Sequence, residues 1–129
     1  MRATVSTDER FPRGRSLRRS TDYQQCYRTG TRRQGTWVTL HLRAHAGGQA
    51  RLGITASRKV GGAVVRNRLK RWTRETFRRW PRRDELPAAD LVVHFKPAAA
   101  AARYAPLAAE LVRLWSRLAD EPGRPERRG

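Results

Sequence analysis

The apolar residues of this chain change their spacing along its length, and this limits the fold more than any other feature. From Trp37 the period is two. Val38, Leu40 and Leu42 point one way, and Trp37, Thr39, His41 and Arg43 the other. Gly47 and Gly48 mark a turn. The period of two then resumes, with Leu52, Ile54 and Ala56 opposite Arg51, Gly53, Thr55 and Ser57. The two segments read as an antiparallel hairpin with one buried face. Over 63–80 the spacing becomes helical. Val65, Leu69, Trp72, Thr73, Thr76 and Trp80 fall within about a third of the circumference, and Pro81 stops the helix. Leu91, Val93 and Phe95 restore a strand over 90–96, ended by Pro97. Leu107, Leu111, Leu114 and Leu118, with Trp115 beside them, stripe a last helix over 104–119.

Upstream, Ser20 suits an N-cap and Asp22 the first helical turn, and Gly30 suits the position after the last turn. Tyr23 and Tyr27 are four residues apart and share a face of this helix, with Cys26 on the same broad side. Residues 32–35 are compatible with a short extra strand. The order is therefore α, two or three β, α, β, α: an α+β sandwich of helices on a small sheet. The length of 129 residues suits one domain, over 16–119, with polar, basic tails expected to be flexible over 1–15 and 120–129.

Charge narrows the function. The chain carries 29 basic and 11 acidic residues, a formal +18, with a pI near 11.8. Of the basic residues 26 are Arg, and only Lys59, Lys70 and Lys96 are Lys. Genomic base composition explains at most the preference for Arg, not the sum. Arg presents a planar fork that fits phosphate oxygens and stacks on bases. No apolar run approaches the roughly 20 residues of a membrane span, and residues 1–19 show no apolar signal region. Neither terminus offers the basic amphipathic helix that an anionic membrane surface would call for. Cys26, the only cysteine, leaves no intrachain disulfide and no thiolate metal cluster. The expectation is a cytoplasmic protein with a polyanionic partner, no membrane and no implied protein partner.

The richest segment is 57–79. Gly61 and Gly62 allow a tight strand-to-helix turn and a close approach to phosphate. Behind them Asn67, Arg68, Lys70, Arg71, Arg74, Arg78 and Arg79 occupy the arc opposite the apolar one. Each phosphate neutralised there releases counterions, so binding should weaken steeply with salt. Asn67 is uncharged within this array and suits a base edge or a 2′-hydroxyl. Glu75 is the only acid on the helix and has Arg71 and Arg79 at i±4. A solvated basic face is the bland alternative, and the scarcity of acid partners weighs against it.

The string Arg66-Asn67-Arg68 followed by Lys70-Arg71, with Arg74 and Phe77 in register and a Ser-Arg-Lys-Val-Gly-Gly-Ala-Val lead over 57–64, closely resembles the signature of the protein subunit of bacterial ribonuclease P. The resemblance runs from about Leu17 to Trp115 and includes the α-β-β-β-α-β-α order. It implies a left-handed β-α-β crossover, against the usual right-handed rule. It also implies a large catalytic RNA as partner, which supplies the active site, binds most of the Mg2+ together with the substrate, and cleaves precursor tRNA to leave a mature 5′ end. By the resemblance, Arg66, Asn67, Arg68, Lys70, Arg71, Arg74 and Lys59 would contact the catalytic RNA. The single-stranded 5′ leader would lie in a cleft between the first helix and the sheet, lined by Tyr23, Tyr27, His41 and Trp37. Tyr23 and Tyr27 stand where a leader base can stack, in positions often held by Phe in the family. Packing on the sheet is their plainer role, and the two can coexist. His41 would line the cleft or stand as an exposed strand histidine. Trp72 and Trp80 fall on the apolar arc and are assigned to the core.

Other chemistries fit poorly. A two-metal nuclease needs clustered carboxylates, yet the acids are scattered apart from Asp84-Glu85 and Asp120-Glu121, both expected in loops or tails. His41, His45 and His94 have no metal-binding spacing, and no phosphate-cradling Gly-x-x-x-x-Gly-Lys-Ser/Thr string occurs. No side chain here is expected to attack phosphorus. The basic helix alone also suits a structural RNA-binding protein, such as one of the ribosome. The tyrosine pair and the Arg-Asn-Arg string favour the leader-binding subunit.

Overall fold

The structure is a computed structural model that describes residues 16–17, 20–44 and 49–121. The tail expected over 1–15, residues 122–129 of the tail expected over 120–129, the Gly47-Gly48 turn and His45 lie outside the described residues. Helix α1 covers Ser20–Thr29. Strands β1 (Thr31–Gln34), β2 (Val38–Ala44) and β3 (Arg51–Thr55) follow, then α2 (Ala63–Arg79), β4 (Ala89–Phe95) and α3 (Tyr104–Asp120). Short 3-10 turns lie at Arg83–Glu85 and Pro97–Ala101. The order expected from spacing and resemblance is the one observed, and the optional extra strand is β1.

The expected β2–β3 hairpin is not formed. The sheet order is β1-β2-β4-β3. β4 inserts between the two, antiparallel to β2 and parallel to β3. The reason is burial. β4 is buried on both faces, so it needs a neighbour on each edge and cover on each side, which the central position provides. The parallel β3–β4 pair is joined through α2, a β-α-β crossover.

The sheet divides the interior in two. Val38, Leu40, Leu42, Leu52, Leu91, Val93 and Phe95 meet Leu69, Phe77, Leu107, Leu111, Leu114 and Trp115 from α2 and α3 in the main core. Phe77, noted in the sequence for its register in the signature, is a core residue whose ring meets Trp115 edge-on, 5.0 Å between centroids. Trp80 is buried beside it, whereas Trp72 is only half-buried. On the other face Val92, Cys26 and Leu17 form a smaller cluster under α1, with Tyr23 against it. Cys26 donates its thiol hydrogen to the Asp90 carbonyl at 3.3 Å, and burial pushes its pKa up to about 12.

Two buried carboxylates hold these layers in place, and neither shows in an apolar pattern. Glu110 of α3 accepts hydrogen bonds from the backbone N–H groups of Thr36, Trp37 and Val38 at 2.8, 2.9 and 3.1 Å, pinning the β1–β2 turn to the helix layer. Asp90 of β4 is fully buried and takes a two-pronged contact from Arg51 of β3, at 2.8 and 3.0 Å. Arg43 of β2 stands 3.6 Å from it. Arg51 also reaches Asp22 of α1 at 3.8 Å, which ties that helix to the sheet. The end of the domain lies slightly beyond the expected boundary at 119. Asp120 closes α3 and pairs with Arg82, and Glu121 receives the Arg33 fork at 2.5 and 3.0 Å.

Candidate nucleic-acid interface

The face of the sheet under α1 carries the candidate leader site. Thr39, His41 and Arg43 of β2 alternate away from the main core, as the period of two requires. Asp90, Val92 and His94 do so on β4, and Arg51, Gly53 and Thr55 on β3. Register sets His94 between Thr39 and Thr55, and Val92 between His41 and Gly53.

Three rings meet over this surface. Tyr27 stands edge-to-face on His41 at 4.7 Å and on His94 at 6.1 Å, and the two imidazoles are 6.3 Å apart. The Tyr27 hydroxyl lies 2.8 Å from Thr55 Oγ1, which lies 2.7 Å from His94 Nδ1. Tyr27 is 39% exposed, so one side of this corner is open to a ligand. Tyr23 is one turn earlier and more covered, with its hydroxyl donating to the Leu17 carbonyl at 3.2 Å. Burial raises the pKa of both phenols, and the charge of Arg74 on α2 partly opposes this at Tyr23. Burial lowers both imidazoles. At His41 the charges of His94 and Arg32 add to the effect.

Tyr23, Tyr27 and His41 are therefore brought together as expected. Trp37 is not placed with them. It precedes the first residue of β2, escapes the strict alternation of the strand, and packs its indole against the main core. Thr55, His94 and Gly53 share this face with them, which the sequence spacing does not reveal. The signal for His94 is its alternation against Leu91, Val93 and Phe95, but the assumed β2–β3 pairing leaves β4 no place beside His41.

The second surface is α2. Gly61, with φ of +154°, makes the turn into it in a conformation that L side chains rarely adopt, and Gly62 caps the helix in extended geometry. The first turn holds no acid. Arg66 donates from Nε to the Gly61 carbonyl at 3.0 Å, which braces the turn. Asn67, Arg71 and Arg74 are exposed, as is Lys59 in the preceding turn, and Lys70 is half-exposed. Arg68 is only partly exposed. Its guanidinium lies over the Trp72 ring, 5.2 Å from the centroid, and its buried Nε has no hydrogen-bond partner. Glu75 pairs with Arg78 at 2.9 Å and Arg79 at 3.2 Å, not with Arg71, so Arg71 keeps its charge toward solvent.

Among the described residues no group of three or more His, Cys, Asp or Glu could hold a metal, and no helix is long and apolar enough to cross a membrane. Comparison with known proteins identifies the family. The family model for ribonuclease P matches residues 11–119. The chain is 36% identical to the ribonuclease P protein component of Thioalkalivibrio sulfidiphilus, over 94% of this chain and 100% of the relative. It is 44% identical to that of Desulfovibrio desulfuricans, over 84% and 86% respectively. The RNase P protein structure from Thermotoga maritima superposes with a TM-score of 0.70 at 30% identity, covering 79% of this chain and 96% of that one. With its fold, its basic helix and most of its length matched in this way, the chain belongs to the ribonuclease P protein family.

Proposed function

We propose that this protein works through two surfaces, one for the leader of a precursor tRNA and one for the catalytic RNA. As a ribonuclease P protein, it assists the RNA in removing the 5′ leader of precursor tRNA. The observation that carries the division of labour is the open corner made by Tyr27, His41 and His94, with Tyr23 one turn earlier on α1. Aromatic faces in a positively charged setting suit single-stranded RNA, because every base has a π-face and every step a phosphate. Leader residues are thus Tyr23, Tyr27 and His41, joined by His94 and Thr55. Trp37 contributes by packing beneath the turn that leads into β2.

The α2 arc of Arg66, Asn67, Arg68, Lys70, Arg71 and Arg74, together with Lys59, meets the catalytic RNA. Asn67 offers an amide where its neighbours offer charge, which supports one base or 2′-hydroxyl contact among phosphate contacts. The role is positional and electrostatic: the protein offsets repulsion between two polyanions and so lowers the Mg2+ needed for a productive complex. The chain's own acids near the leader face do not fit Mg2+, because Asp90 and Asp22 face Arg51. We assign the metal to the RNA and its substrate, and the setting to the cytoplasm.

The test is cleavage of a precursor tRNA at low Mg2+ by protein alone, catalytic RNA alone, and both. Activity confined to the mixture, or far higher there, supports the subunit reading. Cleavage by protein alone overturns RNA catalysis. No gain on adding protein leaves a structural RNA binder as the better account.

A further inference from the structure

We propose that His94 is a positioning residue for the leader: through Thr55 it sets the direction in which the Tyr27 hydroxyl points its proton. This rests on the leader reading of the α1 face given above. Thr55 has one hydroxyl proton and two partners, Tyr27 Oη at 2.8 Å and His94 Nδ1 at 2.7 Å. It can donate to only one of them.

When His94 is neutral with its proton on Nε2, Nδ1 accepts from Thr55. Thr55 Oγ1 then accepts from Tyr27, and the phenol turns lone pairs toward the open side. This state suits a donor on the leader, such as the exocyclic amino group of a base. When His94 is protonated, Nδ1 donates to Thr55, which frees the Thr55 hydroxyl proton to be donated to Tyr27. The phenol proton is released to the open side, where it suits a phosphate oxygen or a base carbonyl. One proton taken up at His94 thus reverses two hydrogen bonds and adds a positive charge below the leader.

The surrounding groups point to His94 as the residue that titrates. Tyr27 faces it from α1, and its phenol stays neutral because burial raises its pKa. Cys26 beside Tyr27 stays a thiol. Thr39 and Thr55 flank it in register and carry no charge. His41 faces it from β2, but His41 Nδ1 is buried without a hydrogen-bond partner. A proton there would be an orphaned donor, opposed further by the charge of Arg32 on β1.

The experiment uses the holoenzyme and two RNAs, a precursor tRNA with a non-hydrolysable scissile linkage and mature tRNA, with affinities measured from about pH 8 down to about pH 5.5. The precursor-to-mature affinity ratio should rise on acidification by roughly threefold to tenfold, the worth of one hydrogen bond. His94→Asn still meets Thr55 but does not titrate, and should flatten the profile. Thr55→Val keeps the titrating imidazole and its charge but cuts the relay, and should reduce the slope to the part owed to charge. A wild-type slope in Thr55→Val would show that His94 acts by charge alone and overturn the relay. A wild-type slope in His94→Asn overturns the role of His94. The leader reading fails separately if Tyr23→Ala and Tyr27→Ala leave the precursor-to-mature ratio unchanged at every pH. Unchanged affinity for the catalytic RNA checks that each variant is folded.

Discussion

Tyr23 lies so close to Gly53 that a methyl group on residue 53 would stand 2.6 Å from Cε1 of the Tyr23 ring. The ring of α1 therefore rests on bare β3 backbone, and the absence of a side chain in the strand sets its depth. Gly53→Ala should push the ring outward, with overpacking costing about 1–3 kcal/mol of stability. Precursor tRNA should bind more weakly and mature tRNA unchanged. An alanine variant with wild-type precursor affinity would show that the depth of this ring does not matter to the leader.

Glu110 makes a prediction about stability alone. Its carboxylate satisfies three backbone N–H groups of the β1–β2 turn. Glu110→Ala leaves the buried Val38 N–H without an acceptor, while those of Thr36 and Trp37 are partly open to water. The loss should be about 1–3 kcal/mol, read as a lower urea midpoint. Glu110→Gln should recover only part of it, because one oxygen remains where two served.

Salt dependence separates the arginines of α2. Arg68→Ala and Arg71→Ala should each weaken binding of the catalytic RNA and lower its log–log salt slope by about one. Arg79→Ala should change the slope less, because Glu75 already pairs with that guanidinium. Equal slope changes at Arg71 and Arg79 would mean that the Glu75 pairing does not survive RNA binding.

The paired imidazoles predict a stability profile for the free protein. Both pKa values are lowered on folding, mainly by burial. The unfolded chain then takes up protons first as the pH falls below the ordinary imidazole value of about 6.5. The stability these groups contribute is present above that value and lost below it. The Tm should fall between about pH 7 and pH 5, and less steeply in a His41→Asn, His94→Asn double variant. A double variant with the wild-type profile would place the acid sensitivity elsewhere.

Much of this molecule is legible in its sequence, for identifiable reasons. Strand and helix periods are local, so α2 ends next to Pro81 and the Leu107, Leu111, Leu114 and Leu118 stripe is buried as expected. The placement of Tyr23, Tyr27 and the α2 basic residues follows from position on a helix. Strand pairing is different, because it depends on partners far apart in the chain. A Gly-Gly turn between two alternating segments reads as a hairpin, yet β4 competes for both strands and takes the central place. His94 and Thr55 join the site only through that exchange. Glu110 and Asp90 are equally hidden, since a buried carboxylate looks like a surface residue until its donors are known.

The central place of β4 also has a consequence in time. β2 and β3 are complete by residue 55, but neither pairs with the other, and the strand that joins them ends at Phe95. During synthesis, about three-quarters of the chain must leave the ribosome before the sheet can close, at roughly 5–20 residues per second. Until then the basic segment of α2 has emerged without its core, and its arginines are free to meet RNA before the fold that orients them exists. Pairings so distant in sequence are closed slowly. A cell making this protein holds, for seconds on each ribosome, a cationic chain whose contacts are not yet selective.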